Sequence, residues 1–111
     1  MSKNLITLAA AKELTKRYRA NLDNVTTAEY AGALKYSETF DAEAIRAILN
    51  QPGCVEFRAY YGMKEDKSVC SIFVGVDDKG QDIVSANIPS AQDIIVEVGT
   101  PCPPDCPVNL L

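Results

Sequence analysis

Residues 52–84, PGCVEFRAYYGMKEDKSVCSIFVGVDDKGQDIV, hold two runs rich in Val, Ile, Phe and Tyr, separated by a charged turn-forming segment and followed by Asp-Asp-Lys-Gly. Branched and aromatic side chains fit a pleated, half-buried surface, and Asp-Gly clusters reverse a chain, so this stretch predicts a β-meander. The first strand, Cys54 to Tyr61, alternates Val55, Phe57, Ala59 and Tyr61 with Glu56, Arg58 and Tyr60, the pattern of one buried and one wet face. Gly62 is expected to close it. Val69 to Val76 is almost continuously apolar and reads as a central strand covered on both faces, with Gly75 marking a bulge or a close backbone approach. After the Asp77–Gly80 turn a third strand is expected from Gln81 to Val84. A fourth, at the edge, runs from Ile94 to Val98, beyond a loop containing Pro89.

The chain before the meander has helical periodicity. Ile6, Ala10, Leu14, Tyr18 and Leu22 recur every four residues and predict an amphipathic helix from about Asn4 or Thr7 to Leu22, with Lys12, Lys16 and Arg19 on its other side. Thr26 and Glu29 have the spacing of a capping box ahead of a short helix, Thr27 to about Ala33, and residues 34–38 read as a connector with some extended character. Asp41 is a credible cap for a further helix to Asn50, buried through Ile45, Ile48 and Leu49 and stopped by Gln51-Pro52-Gly53. The expected fold is therefore α+β: N-terminal helices packed on a small antiparallel sheet, in one domain spanning residues 1–99. Residues 100–111 are read as an extended tail, because Pro101, Pro103, Pro104 and Pro107 lack the N–H a helix or central strand needs.

Composition narrows the chemistry. The chain of 111 residues has no histidine, which removes Ser-His and Cys-His nucleophile pairs and every histidine-bearing metal site. Eleven basic against fifteen acidic residues give a net charge of -4, which argues against nucleic acid or an anionic membrane as partner. The first 23 residues are basic, with Lys3, Lys12, Lys16, Arg17 and Arg19 set against Glu13 and Asp23. No window is apolar enough for a membrane span, and the first twenty residues do not read as a secretion signal, so a cytoplasmic protein with reduced cysteines is expected.

The order of TKRYRAN (15–21), SETF (37–40), QPGC (51–54), RAYYGM (58–63), VGVDDKGQDI (74–83) and CPPDCP (102–107) resembles a family of small bacterial proteins, mainly of the Bacteroidetes group. In that family a YYG strand, a VGV-D-x-x-G-x-D hairpin and a closing CPP-x-CP recur in this order. The resemblance implies a shared fold and a bacterial cytosolic setting. It supplies no activity and no catalytic residue.

Each polar cluster has a functional and a structural reading. Cys102 and Cys106, spaced C-x3-C, can chelate zinc or another soft metal, or close a disulfide ring; a tetrahedral site would need two more ligands from Cys54, Cys70, Asp105 or a second copy. Cys54 and Cys70 lie in apolar contexts and read as small buried hydrophobes. Asp77, Asp78 and Asp82 crowd one turn, where Asp-x-x-Gly is ordinary turn chemistry and the order of ligands does not match a calcium loop. Glu56 lacks a defined carboxylate partner. Arg58, Tyr60, Tyr61 and Lys64 resemble a platform for single-stranded nucleic acid, but Tyr60 and Tyr61 point to opposite faces of a strand. With no catalytic residue or cofactor assigned, the expectation is a non-enzymatic module that binds itself or another protein. Its contacts are expected at Tyr60, Arg58, Pro103 and Pro104, and the alternative is a metal or thiol-redox protein using Cys102 and Cys106.

Overall fold

The computed structural model describes residues 3–111. In chain order it contains α1 (Leu8–Val25), a 3-10 turn (Ala28–Tyr30), β1 (Ser37–Thr39), α2 (Ala42–Leu49), β2 (Glu56–Met63), β3 (Val69–Val76) and β4 (Thr100–Cys102). The α+β class read from the sequence holds.

β2 and β3 form an antiparallel hairpin running from Glu56 opposite Val76 to Met63 opposite Val69. Residues 65–67 close it, and Lys67 takes a left-handed backbone, φ 73°, the conformation at which a three-residue loop returns the chain to the ladder. Gly62 lies inside β2 instead of ending it, with the Ile72 and Cys70 side chains crowding the space a Cβ would need.

The rest of the expected meander shrinks to isolated bridges. The third strand is reduced to a bridge between Val76 and Asp82, and the fourth to one between Phe73 and Val96. Local polar bonds divert the chain between them: the Ser85 backbone N–H and hydroxyl donate to Asp93 at 2.7 and 2.8 Å and pinch residues 85–93 into a loop. Val98, at φ 61°, turns the backbone out of the extended region and stops the fourth segment.

α2 packs on the hairpin. Its Ile48 is fully buried, and Gly75 lies where a Cβ would come within 3.4 Å of the Ile48 Cγ2, 3.1 Å of the Cys54 Sγ and 2.9 Å of the Gln51 Oε1. The close approach expected at Gly75 is thus made by α2 and the turn that follows it. Ile45 is half-buried and Leu49 exposed, so Ile48 anchors the helix. Asp41 caps by position, without a side-chain bond.

α1 departs from the expected helix-on-sheet arrangement. Thr7 caps it, accepting the Ala10 N–H at 3.1 Å, but none of its residues is buried. It turns Ala11, Thr15, Arg19, Leu22 and Thr26 inward, each half-buried, toward the connector and the last residues. Thr15 and Arg19 both donate to the Leu111 carbonyl at 2.9 Å, and Tyr18 donates to the Lys35 carbonyl at 2.7 Å. The capping box expected at Thr26 does not form, because the Thr26 hydroxyl donates back to the Leu22 carbonyl. The helix following it is a single 3-10 turn.

The tail is built into the domain. β4 pairs antiparallel with β1, Ser37 opposite Cys102 and Thr39 opposite Thr100, and Cys102 is 1% exposed. Gly99 lets the Phe40 ring lie against the backbone, where a Cβ would come within 2.7 Å of it, and Phe40 meets Phe73 edge-on at 4.9 Å. The boundary expected at residue 99 is therefore a connection between packed segments. The fully buried side chains are few, with Ile48, Val76 and Cys102 the largest.

Candidate interaction surface

The alternating pattern of β2 anticipates one covered face, yet Phe57 is 50%, Met63 57% and Tyr61 84% exposed. Phe57 touches Phe73 edge-on at 5.8 Å, and Phe40 covers Phe73 from the other side. The strip from Phe57 to Met63 is otherwise open.

The backbone of β2 is open as well. On β3, the Val69 N–H donates to Ala33, the Ser71 N–H to the Glu38 carboxylate, and Phe73 exchanges both backbone bonds with Val96, while the Gly75 carbonyl accepts from Ile83. These four residues therefore point their backbone groups away from β2. Their cross-strand partners Met63, Tyr61, Ala59 and Phe57 occupy the non-bonded pairs of the ladder and point theirs away from β3. Among the described residues, nothing meets those outward groups. Each outward residue of the β3 edge makes at least one such bond, while among the described residues the β2 edge makes none.

On the opposite face of β2, Arg58 and Tyr60 both donate to the Asp82 carboxylate, and Arg58 also reaches the Gly80 carbonyl at 3.4 Å. The Tyr60 hydrogen bond and the Asp82 charge hold the Arg58 guanidinium more firmly protonated than usual. Asp82 is thus locked to β2. Asp77 accepts the Lys79 and Gln81 N–H groups, both at 2.9 Å, as the turn reading expected. Glu56 is 4.0 Å from Lys3, and Lys64 is 3.8 Å from Glu97. Tyr60 and Tyr61 do lie on opposite faces, which leaves the aromatic residues of β2 divided.

Cys102 and Cys106 form a disulfide with Cα atoms 4.6 Å apart, whereas Cys54 and Cys70 are free. The expectation of four thiols is corrected for that pair: the proline-bounded turn and the pairing of Cys102 with β1 bring the two sulfurs together. Ligation by Cys102 and Cys106 would first require reduction, and among the described residues no group of three or more potential ligands is assembled for a metal. Burial raises the Cys70 thiol pKa, which suppresses its reactive thiolate. Pro103 and Pro104 are exposed within the disulfide loop, each after a cis peptide bond, and far along the chain from Arg58 and Tyr60, with which they share no bond.

A cavity of about 400 Å³ separates α2 from the loop after Ile83, lined by Gln51, Pro52, Ile83, Ile88, Gln92 and Ile94 among others. Gln51 is buried with its Oε1 unbonded, but the lining carries no titratable side chain. The α1 stripe of Leu14, Tyr18 and Val25, with Arg17 and Asn21, forms a second uncovered groove of similar volume. No described helix is long and apolar enough to cross a membrane. Comparison with protein-family models, with curated proteins and with solved structures finds no match to this chain.

Proposed function

We propose that the chain is a non-enzymatic module that works by binding protein, first of all copies of itself. The observation that carries this reading is surface area. A compact folded chain of this mass exposes about 6,000 Å², whereas this one exposes 8168 Å². Its radius of gyration is 16.1 Å, against about 13 Å for a compact domain of this length. The excess of about 2,000 Å² falls in the range that stable subunit interfaces bury, and it is rich in the side chains that interfaces use, including Phe57, Tyr61, Met63, Leu14 and Val25. Partners other than nucleic acid or membrane belong to the same reading and rest on the acidic balance; a cytoplasmic location belongs to it as well and requires that Cys102 and Cys106 be reduced in the cell.

The test is the native mass of the full chain by size exclusion with light scattering, from micromolar concentration upward. An oligomer is expected. The full chain is needed, because cutting after Gly99 would remove the partner of β1.

The Cys102–Cys106 disulfide favours a second reading, a thiol–disulfide protein. Cys106 is its accessible sulfur, since Cys102 is buried. Thiol counting separates the two: under this alternative the count in native protein moves between two and four with the redox poise of the buffer, together with a change in activity or binding. Metal analysis after reduction tests the zinc variant.

A further inference from the structure

The bare edge of β2 fits one occupant better than any other. We propose that two copies of the chain join through their β2 strands, antiparallel across a two-fold axis, into a four-stranded sheet in the order β3-β2-β2-β3. This rests on the self-association reading above and names the surface that performs it.

Three observations carry the assignment. First, Phe57, Ala59, Tyr61 and Met63 turn their N–H and C=O groups outward, and in a two-fold pair they meet the same four residues of the other copy. Bonded pairs must then join odd positions to odd positions. Second, charge selects among the registers that satisfy this rule. Glu56 begins β2 and Lys64 directly follows its last residue. Setting Tyr60 opposite its own copy places each Glu56 across from the other copy's Lys64, Phe57 across from Met63 and Ala59 across from Tyr61. Sliding by two residues in one direction opposes Arg58 to Lys64, a like-charge pair; in the other it leaves Lys64 opposite Cys54. Third, the side chains that the alternation marks for burial and that one copy leaves exposed, Tyr61 at 84% above all, each gain a cross-strand neighbour in this pairing. The paired strips form one apolar band across both hairpins, with Phe57 and Met63 in an aromatic–sulfur contact.

The experiment combines native mass with three groups of variants in the full chain. Wild-type protein is expected to be dimeric at micromolar concentration. Tyr61→Lys puts a charge on each side of the two-fold axis of the strand pair and is expected to weaken association by roughly 100-fold, with an unchanged circular dichroism spectrum because Tyr61 is exposed. Ala59→Pro removes only an outward N–H and blocks the new ladder without breaking the existing one. In a Cys54→Ser background, Tyr60→Cys is expected to cross-link into a covalent dimer under mild oxidation, since non-bonded antiparallel neighbours have Cα atoms about 4.5 Å apart, within disulfide reach. Ala59→Cys is not. An oligomer whose mass neither edge variant changes, or cross-linking at 59 in preference to 60, overturns the β2 assignment while leaving self-association standing. A wild-type chain that stays monomeric to millimolar concentration overturns both.

Discussion

Lys67 and Val98 hold left-handed backbone at φ 73° and 61°, a conformation that brings a Cβ too near the following carbonyl. Lys67 accepts it to close the β2–β3 loop, where glycine is the usual occupant, and donates to Glu29 at 2.9 Å from an exposed position. An exposed pair of this kind adds a few tenths of a kcal/mol at most, less than the backbone penalty of roughly 1 kcal/mol. Lys67 also sits 5.2 Å over the Tyr30 ring, a contact worth roughly 0.5 kcal/mol when exposed, and glycine adds unfolded-state entropy, so Lys67→Gly is expected to leave stability within about 0.5 kcal/mol of wild type, read as a nearly unchanged urea midpoint. At the same loop, the Asp66 Oδ1 accepts the Ser68 hydroxyl at 2.6 Å and its N–H at 2.9 Å. Those two bonds hold its pKa below the usual carboxylate range, and Asp93 is lowered likewise by the Ser85 N–H and hydroxyl. A carboxyl with a depressed folded pKa binds fewer protons folded than unfolded in the interval between its two values, so stability rises with pH there. The contribution is fully present above the unfolded value and lost as pH falls through the folded one. Denaturation midpoints should fall on acidification below about pH 4, and Asp66→Asn should flatten that fall.

Ile48 fastens α2 to the hairpin over the gap that Gly75 leaves. Ile48→Ala should cost about 2–5 kcal/mol by emptying a fully enclosed site, and Gly75→Ala about 1–3 kcal/mol by forcing Gln51 and Cys54 aside, both measured by denaturant titration. α1, with no buried residue, has only its inward bonds to hold it, and its amides should exchange with solvent ahead of those of β3. These elements also show what the sequence made legible. β3 was readable residue for residue, because an unbroken apolar run with both faces covered has few alternatives. The existence of both helices was readable from their period, and the start of α2 from Asp41, but the inward face of α1 was not: Leu14 and Tyr18 lie exposed, whereas Arg19, expected on the opposite side, turns inward. The segments at 81–84 and 94–98 looked equally strand-like, but the Ser85–Asp93 bonds and the kink at Val98 link positions that no local pattern connects. Alternation in β2 likewise marks a face for burial, which the structure leaves exposed. The disulfide was one of two outcomes the spacing left open. The docking of Cys102 beside Ser37 depends on contact between the middle and the end of the chain, which spacing does not encode.

For the whole molecule, the proposed pairing would couple folding to association, because the enclosed core is small and the accessible surface large. If a dimer unfolds to two free chains, each tenfold rise in concentration favours the folded state by about 1.4 kcal/mol per mole of dimer. The thermal midpoint is therefore expected to climb with protein concentration, and in Tyr61→Lys to be lower at matched concentration and to begin climbing only at roughly 100-fold higher concentration. A midpoint that is the same for wild type across a hundredfold dilution would contradict the coupling. The engaged side of β3 then limits how far assembly can go. Ala33, Glu38, Ile83 and Val96 already cover that margin with segments of the same chain, so once two hairpins have joined along their bare margins as proposed, a third copy would have to displace those segments to add to the sheet. Association by this route terminates at a pair, and the protein can present sticky strands at high expression without seeding fibres.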